Sequence, residues 1–188
     1  MISYTEIDSP VGRLLLTTDG SALTGVYFDM PGRSPRELER WTRDAKAGPL
    51  PETARQLEEY FKGARREFDL PLDLQGTEFQ KRAWRNLLTI PYGETRSYGD
   101  QARLIGNPNA SRAVGLANGR NPLPIVVPCH RVIGANGSLT GFGGGLERKR
   151  WLLAHEGYFQ MSGRTTVNTA PSRADGLSGR LEANALPS

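Results

Sequence analysis

Cys129 is the only cysteine in this chain of 188 residues, and the residue after it, His130, is one of only two histidines. Both sit in Pro128-Cys129-His130-Arg131, reached through the apolar run Ile125-Val126-Val127 and preceded by Asn121-Pro122-Leu123-Pro124. The expected arrangement is a sulfur nucleophile at the end of a short buried strand, held firmly because proline fixes φ and withholds a backbone donor. A lone cysteine is ordinarily a small buried hydrophobe. Here Arg131 is adjacent, and a cationic setting lowers a thiol pKa whereas an apolar one raises it. With an unperturbed pKa of about 8.5, only roughly a tenth of such thiols ionise at cytosolic pH, so a working nucleophile needs a base or a cation nearby. His130 can serve only if the chain bends at Pro128-Cys129, because neighbours on an extended segment point to opposite faces. Such a bend would join imidazole and sulfur directly or through a water.

The flanks make this string specific. Asn118-Gly119-Arg120-Asn121-Pro122, then Ile125 to Gly134, Gly144-Gly145-Leu146 and Trp151-Leu152-Leu153-Ala154-His155-Glu156-Gly157 resemble the O6-alkylguanine-DNA alkyltransferases. The likeness is close over roughly residues 77–157 and looser before them. It implies DNA repair in which an alkyl group on guanine O6, or on thymine O4, passes to Cys129 in one in-line displacement. The product is a thioether, which water does not cleave at neutral pH, so each molecule would act once.

The same resemblance implies the roles of individual residues. His130 would act through a water as general base, Glu156 would orient it, Asn121 would hydrogen-bond within the active-site turn, and Tyr98 would protonate the leaving group. A carboxylate at a helix C-terminus opposes the helix dipole, which already hints that Glu156 has a specific partner. His155 matches the string but is read as a packing residue. Double-stranded DNA would be met through the minor groove by Arg112, Tyr98, Gly99, Asn107, Ala113, Gly115 and Ala117. Arg112 would fill the stack when the damaged nucleotide is flipped out, and Ala110, Ala113, Gly115 and Ala117 would keep its helix slim. Val132, Phe142 and Gly143 would form the substrate pocket. Phe142 stands where many members carry tyrosine, and Gly143 where some carry serine, so the loop is expected to be more open to bulky alkyl groups.

Composition narrows the alternatives. One cysteine excludes an internal disulfide framework and a cysteine-built zinc site, and no metal or cofactor is expected. No apolar run approaches a membrane span, and the first residues lack the basic and apolar regions of a secretory leader. A cytoplasmic monomer is expected. Residues 1–76 carry 10 basic and 13 acidic side chains, whereas residues 77–159 carry 11 and 5. The basic excess therefore lies in the part that holds Cys129, as expected of a surface meeting a polyanion. Three rivals stay open: a multiple-turnover cysteine hydrolase, a helix-turn-helix regulator, and a non-catalytic lesion sensor, a kind of protein that lacks the cysteine present here.

An α+β fold should position these groups. Ile2–Ile7, Leu14–Thr18 and Leu23–Phe28 read as a three-stranded meander. Ser34-Pro35-Arg36-Glu37 reads as the start of a helix with Leu38, Trp41 and Ala45 on its apolar face. A second helix is expected over Glu52–Lys62, then an extended segment from Phe68 to Leu74. This half, residues 1–75, is expected to be a ribonuclease-H-like scaffold. Residues 76–159 should form a mainly helical, winged-helix-like unit. Capping boxes at Thr77-Glu78-Phe79-Gln80 and Ser97-Tyr98-Gly99-Asp100 open its first two helices. Gly106-Asn107-Pro108 turns into a third over Asn109–Ala117, giving a helix-turn-helix pattern. Asn136-Gly137 marks a hairpin turn, and Leu146–Glu156 a final helix ended by Gly157. Residues 160–188, poor in large apolar side chains, are expected to be a disordered tail.

Overall fold

A computed structural model of the chain describes residues 1–29 and 38–161. Strands β1 (Ser3–Ile7), β2 (Leu14–Thr18) and β3 (Leu23–Phe28) form the expected antiparallel meander. The third strand lies at the sheet edge, and a short β4 (Thr42–Arg43) pairs parallel with β1 at the other edge, giving the order β3-β2-β1-β4. That strand replaces part of the helix expected after Ser34. Ser34–Glu37 fall outside the described residues, and Leu38–Arg40 make a single 3-10 turn. Beyond that turn, the Thr42 and Asp44 amides donate to Ile2 and Tyr4, so tertiary pairing captures donors that a helix would use internally.

Helix α1 (Leu50–Phe61) packs on this sheet, burying Leu50, Leu57 and Tyr60. The segment around Leu72 is extended and bridges Leu23 of β3. Helix α2 (Glu78–Leu87) and helix α3 (Tyr98–Leu104) both begin with complete capping boxes, from Thr77 and Ser97 respectively. Each box satisfies two backbone donors that a helix start would otherwise leave unpaired. Helix α4 (Ser111–Gly119) follows the turn at Gly106, whose φ of 81° suits glycine. Gln101 of α3 and Asn118 of α4 exchange amide hydrogen bonds in the interior, locking the helix pair. Ala117 differs from the sequence reading. It is 3% exposed, and its carbonyl accepts from the Trp84 indole, so it faces α2 and not solvent.

Strands β5 (Arg96–Ser97) and β6 (Val132–Ile133) pair in parallel and set the start of α3 beside Cys129. A tight turn at Gly134–Ser138 follows. Helix α5 (Leu146–His155) closes with Gly157 at φ 81°, and α6 (Tyr158–Met161) runs two residues into the expected tail, the rest of which lies outside the described residues. One hydrophobic core spans both halves, joining Leu16, Leu23 and Leu57 to Trp84, Ile125 and Leu152.

Candidate active site

The segment leading directly into Cys129 is not a strand. Ile125-Val126-Val127 is a buried turn in which Ile125 adopts φ 76°, a conformation that costs a β-branched residue strain. Prolines at 122, 124 and 128 deny the segment the donors a ladder needs, so it folds on itself instead. Asn121 holds the turn. Its side-chain amide donates to the Val127 carbonyl at 2.7 Å, and its oxygen accepts from the Leu123 amide at 3.0 Å. Cys129 then opens a 3-10 turn, Cys129–Arg131, which abolishes the opposite-facing arrangement that an extended chain would impose on Cys129 and His130.

Glu156 anchors one side of this turn. Its Oε1 lies 2.8 Å from His130 Nε2 and accepts from the Tyr60 hydroxyl at 2.7 Å and Arg131 Nη2 at 3.0 Å. Its Oε2 accepts from Arg131 Nε at 2.8 Å and from the Gly93 amide at 3.2 Å. Burial alone would raise this carboxyl group, but His130 and Arg131 hold it well below the usual carboxylate range. Arg131 also donates to the Ile90 carbonyl, so its guanidinium serves Glu156 and does not face the thiol as the sequence suggested. With Nε2 donating to Glu156, the tautomer is fixed and Nδ1 is left as an acceptor. Nδ1 is buried and has no hydrogen-bond partner among the described residues. Burial also lowers the His130 pKa, against the opposing pull of Glu156, and this favours the neutral ring with Nδ1 as an acceptor.

Cys129 is 4% exposed, and burial raises its thiol to about 11. Asn121 and the ammonium group of Lys149 oppose that rise. Lys149, which the sequence reading passed over, is fully buried on α5. Its Nζ donates to the carbonyls of Val132 at 2.6 Å and Thr140 at 2.7 Å, and to the Tyr98 hydroxyl at 3.4 Å. Burial lowers Lys149 to about 8. Tyr98 donates to the Thr140 carbonyl at 2.7 Å, and its pKa is raised by burial and by Cys129.

A cavity of about 180 Å³ leads to Cys129. Asn118, Gly119, Asn121 and Pro124 line one side, Phe142, Gly143 and Gly144 another, and Val26, Tyr27 and Phe28 of β3 a third. Val132, expected in the pocket, is fully buried and contributes only its carbonyl to Lys149. A side chain at Gly143 would bring Cβ within 3.2 Å of the Gly119 carbonyl, which favours glycine there. A larger groove of about 590 Å³ between the β1–β2 turn and α1 is lined by Ile7, Pro10, Pro51 and Phe61 with surface charges at its rim, and lies away from Cys129. Among the expected DNA contacts, Arg112, Ala113 and Asn107 are exposed, Gly99 is half-buried, and Gly115 lies against the Tyr98 ring. His155 packs as read, stacked on Trp151 with centroids 4.9 Å apart and its Nε2 2.7 Å from the Tyr60 carbonyl.

Residues 78–158 match the 6-O-methylguanine DNA methyltransferase DNA-binding domain, and residues 2–74 match the ribonuclease-like domain of the same methyltransferases. The chain belongs to the 6-O-methylguanine DNA methyltransferase family. A methylated-DNA–protein-cysteine methyltransferase of Mycobacterium tuberculosis H37Rv is 56% identical over 156 residues, covering 83% of this chain and 93% of that one. One from Methanosarcina acetivorans is 52% identical over 155 residues, covering 82% and 97%. Among solved methyltransferase structures, the M. tuberculosis O6-methylguanine methyltransferase superposes with a TM-score of 0.78 at 54% identity, covering 83% and 93%. The M. tuberculosis OGT in complex with DNA gives 0.75 at 55% identity, covering 82% and 92%.

Proposed function

We propose that this methyltransferase repairs duplex DNA by moving the alkyl group of O6-alkylguanine, and by the same displacement that of O4-alkylthymine, onto Cys129 in a single turnover. One observation carries the assignment of the base: a buried His130 whose Nε2 is committed to Glu156 and whose Nδ1 has no partner among the described residues. With its pKa near 11, the Cys129 thiol is ionised in roughly one molecule in ten thousand at neutral pH, so the proton must leave by base catalysis. His130 accepts it at Nδ1 through a bridging water, and Glu156 stabilises the imidazolium that forms. The sulfur then forms a C–S bond as the carbon–oxygen bond to the base breaks. Lys149 supplies the positive charge beside the sulfur. Tyr98 gives its proton to the departing base, and the neighbouring ammonium group eases that loss.

Arg112 and Ala113 on the exposed face of α4 contact the minor groove. Arg112 occupies the stack once the nucleotide is extruded, a step that costs a few kcal/mol. The division into a scaffold unit over 1–75 and an acceptor unit over 76–159 is supported by family matches that break between residues 74 and 78. No helix among the described residues is long and apolar enough to cross a membrane, and we place the protein in the cytoplasm. Intact-mass spectrometry after incubation with excess methylated duplex tests the function. One added methylene per chain, on Cys129 and absent from Cys129→Ser, is expected. Continued release of product beyond one per chain would favour the hydrolase reading, and no adduct with sequence-selective binding would favour the regulator.

A further inference from the structure

The edge strand β3 belongs to the half of the chain that carries none of the reacting groups, yet it walls the Cys129 cavity. Phe28 ends that strand, 9% exposed, and its ring meets the Phe142 ring edge-on with centroids 5.7 Å apart. The contact leaves no slack. A Cβ on Gly144 would lie 2.6 Å from Phe28 and 2.7 Å from Phe142, so the glycine is what lets both rings close over the loop. Arg148 fixes the assembly from behind. Its guanidinium carbon sits 5.2 Å from the centre of the Phe28 ring, and its nitrogens donate to the carbonyls of Val11, Asp29 and Gly144. Backbone pairing ties the same strand to the active-site turn, since the Val26 amide donates to the Pro122 carbonyl at 2.9 Å.

We infer that Phe28 is a specificity-determining residue, which limits the size of the alkyl group by walling the cavity and by holding Phe142 forward over it. This rests on the alkyl-transfer reading above. Gly143 and Gly144 carry no side chain into the cavity, and Phe28 closes it from the N-terminal half of the chain. Removing the Phe28 ring gives Phe142 room to swing back and widens the space beside the sulfur. Bulky groups then gain relative to methyl, whereas a purely structural loss would slow all substrates together.

The test measures the rate of transfer to Cys129 from O6-methylguanine and O6-benzylguanine placed in the same duplex, using the full chain. Phe28→Ala should raise the benzyl-to-methyl ratio about tenfold, the scale on which pocket walls discriminate. Phe28→Leu, which keeps most of the volume and remains informative if the alanine variant unfolds, should shift it less in the same direction. Leu57→Ala, a core truncation on α1 away from the cavity, should leave the ratio unchanged. An unchanged ratio in both Phe28 variants, or an equal rise in Leu57→Ala, would overturn the inference while leaving the transfer reading intact. A wild-type chain that takes up neither group would overturn that reading, and the inference with it.

Discussion

Glu156 and Lys149 are both buried charges on the inner stripe of α5 and its cap, and the fold treats them in opposite ways. Glu156 has five donors converging on its two oxygens, two of them from a guanidinium, and stays ionised despite burial. Among the described residues, Lys149 donates to carbonyl and hydroxyl oxygens and lies over the Tyr98 ring. No carboxylate among the described residues pairs with it, and its pKa falls to about 8. A charge locked by partners makes a rigid support, which suits the residue that orients a base. A charge held by neutral dipoles remains able to respond when a thiolate or phenolate forms nearby. On the proposed mechanism, the side of the site that takes the thiol proton is therefore preorganised, and the side facing the leaving group is poised.

Three substitutions separate the two sides, taken from the largest expected effect. Glu156→Ala strands Arg131 and His130 in the interior. It should cost about 3–5 kcal/mol in denaturant unfolding and reduce alkyl transfer by about a hundredfold or more. An unfolding midpoint matching wild type would show that the network is not as tightly paired as its geometry indicates. Lys149→Met should change stability at pH 7 by less than about 2 kcal/mol, because relief of the buried cation offsets lost hydrogen bonds. In wild type the cost of burying that cation is fully present below about 8 and is relieved as pH rises towards the ordinary lysine value of about 10.4. Stability should therefore climb over that window in wild type and not in the variant. Transfer at pH 7 should nevertheless fall about tenfold, the signature of a group needed in the reaction more than in the fold. Tyr60→Phe removes one donor from Glu156 and should cost about 1.5 kcal/mol. The freed lone pair draws the imidazolium more strongly, so the His130 pKa rises and the acid limb of the rate profile moves to higher pH. An acid limb that stays in place would detach Tyr60 from the base.

Much of the fold was legible because it is locally determined. The capping boxes at Thr77 and Ser97, the three strands of the meander and the glycine stops at Gly106 and Gly157 each declare themselves within a few residues. That Asn121 would hold the turn before Cys129, and that His130 and Glu156 would meet, was legible through the motif. What was misread depends on partners far along the chain. The Ile125-Val126-Val127 run looks like a strand by composition, and becomes a turn only because the prolines and the surrounding core force it. Arg131 is adjacent to Cys129 in sequence, but its side chain is claimed by a carboxylate 25 residues away. Tyr60 gave no sign at all, since an inward aromatic on α1 reads as packing. Lys149 did leave a signal: residues 149, 152, 153 and 156 share one helical face, so a lysine and a glutamate bracket two buried leucines. Charges on an apolar stripe are rarely idle.

The dependence of the alkyl-transfer rate on pH bears most directly on this division of labour. With His130 taking the proton and Lys149 charged beside the sulfur, the rate should rise from acid through the lowered His130 pKa, level off near neutrality and decline above about 8. A rate that instead climbs about tenfold per pH unit from neutrality towards 11 would mean that Cys129 reacts through its own ionisation, and would contradict the account.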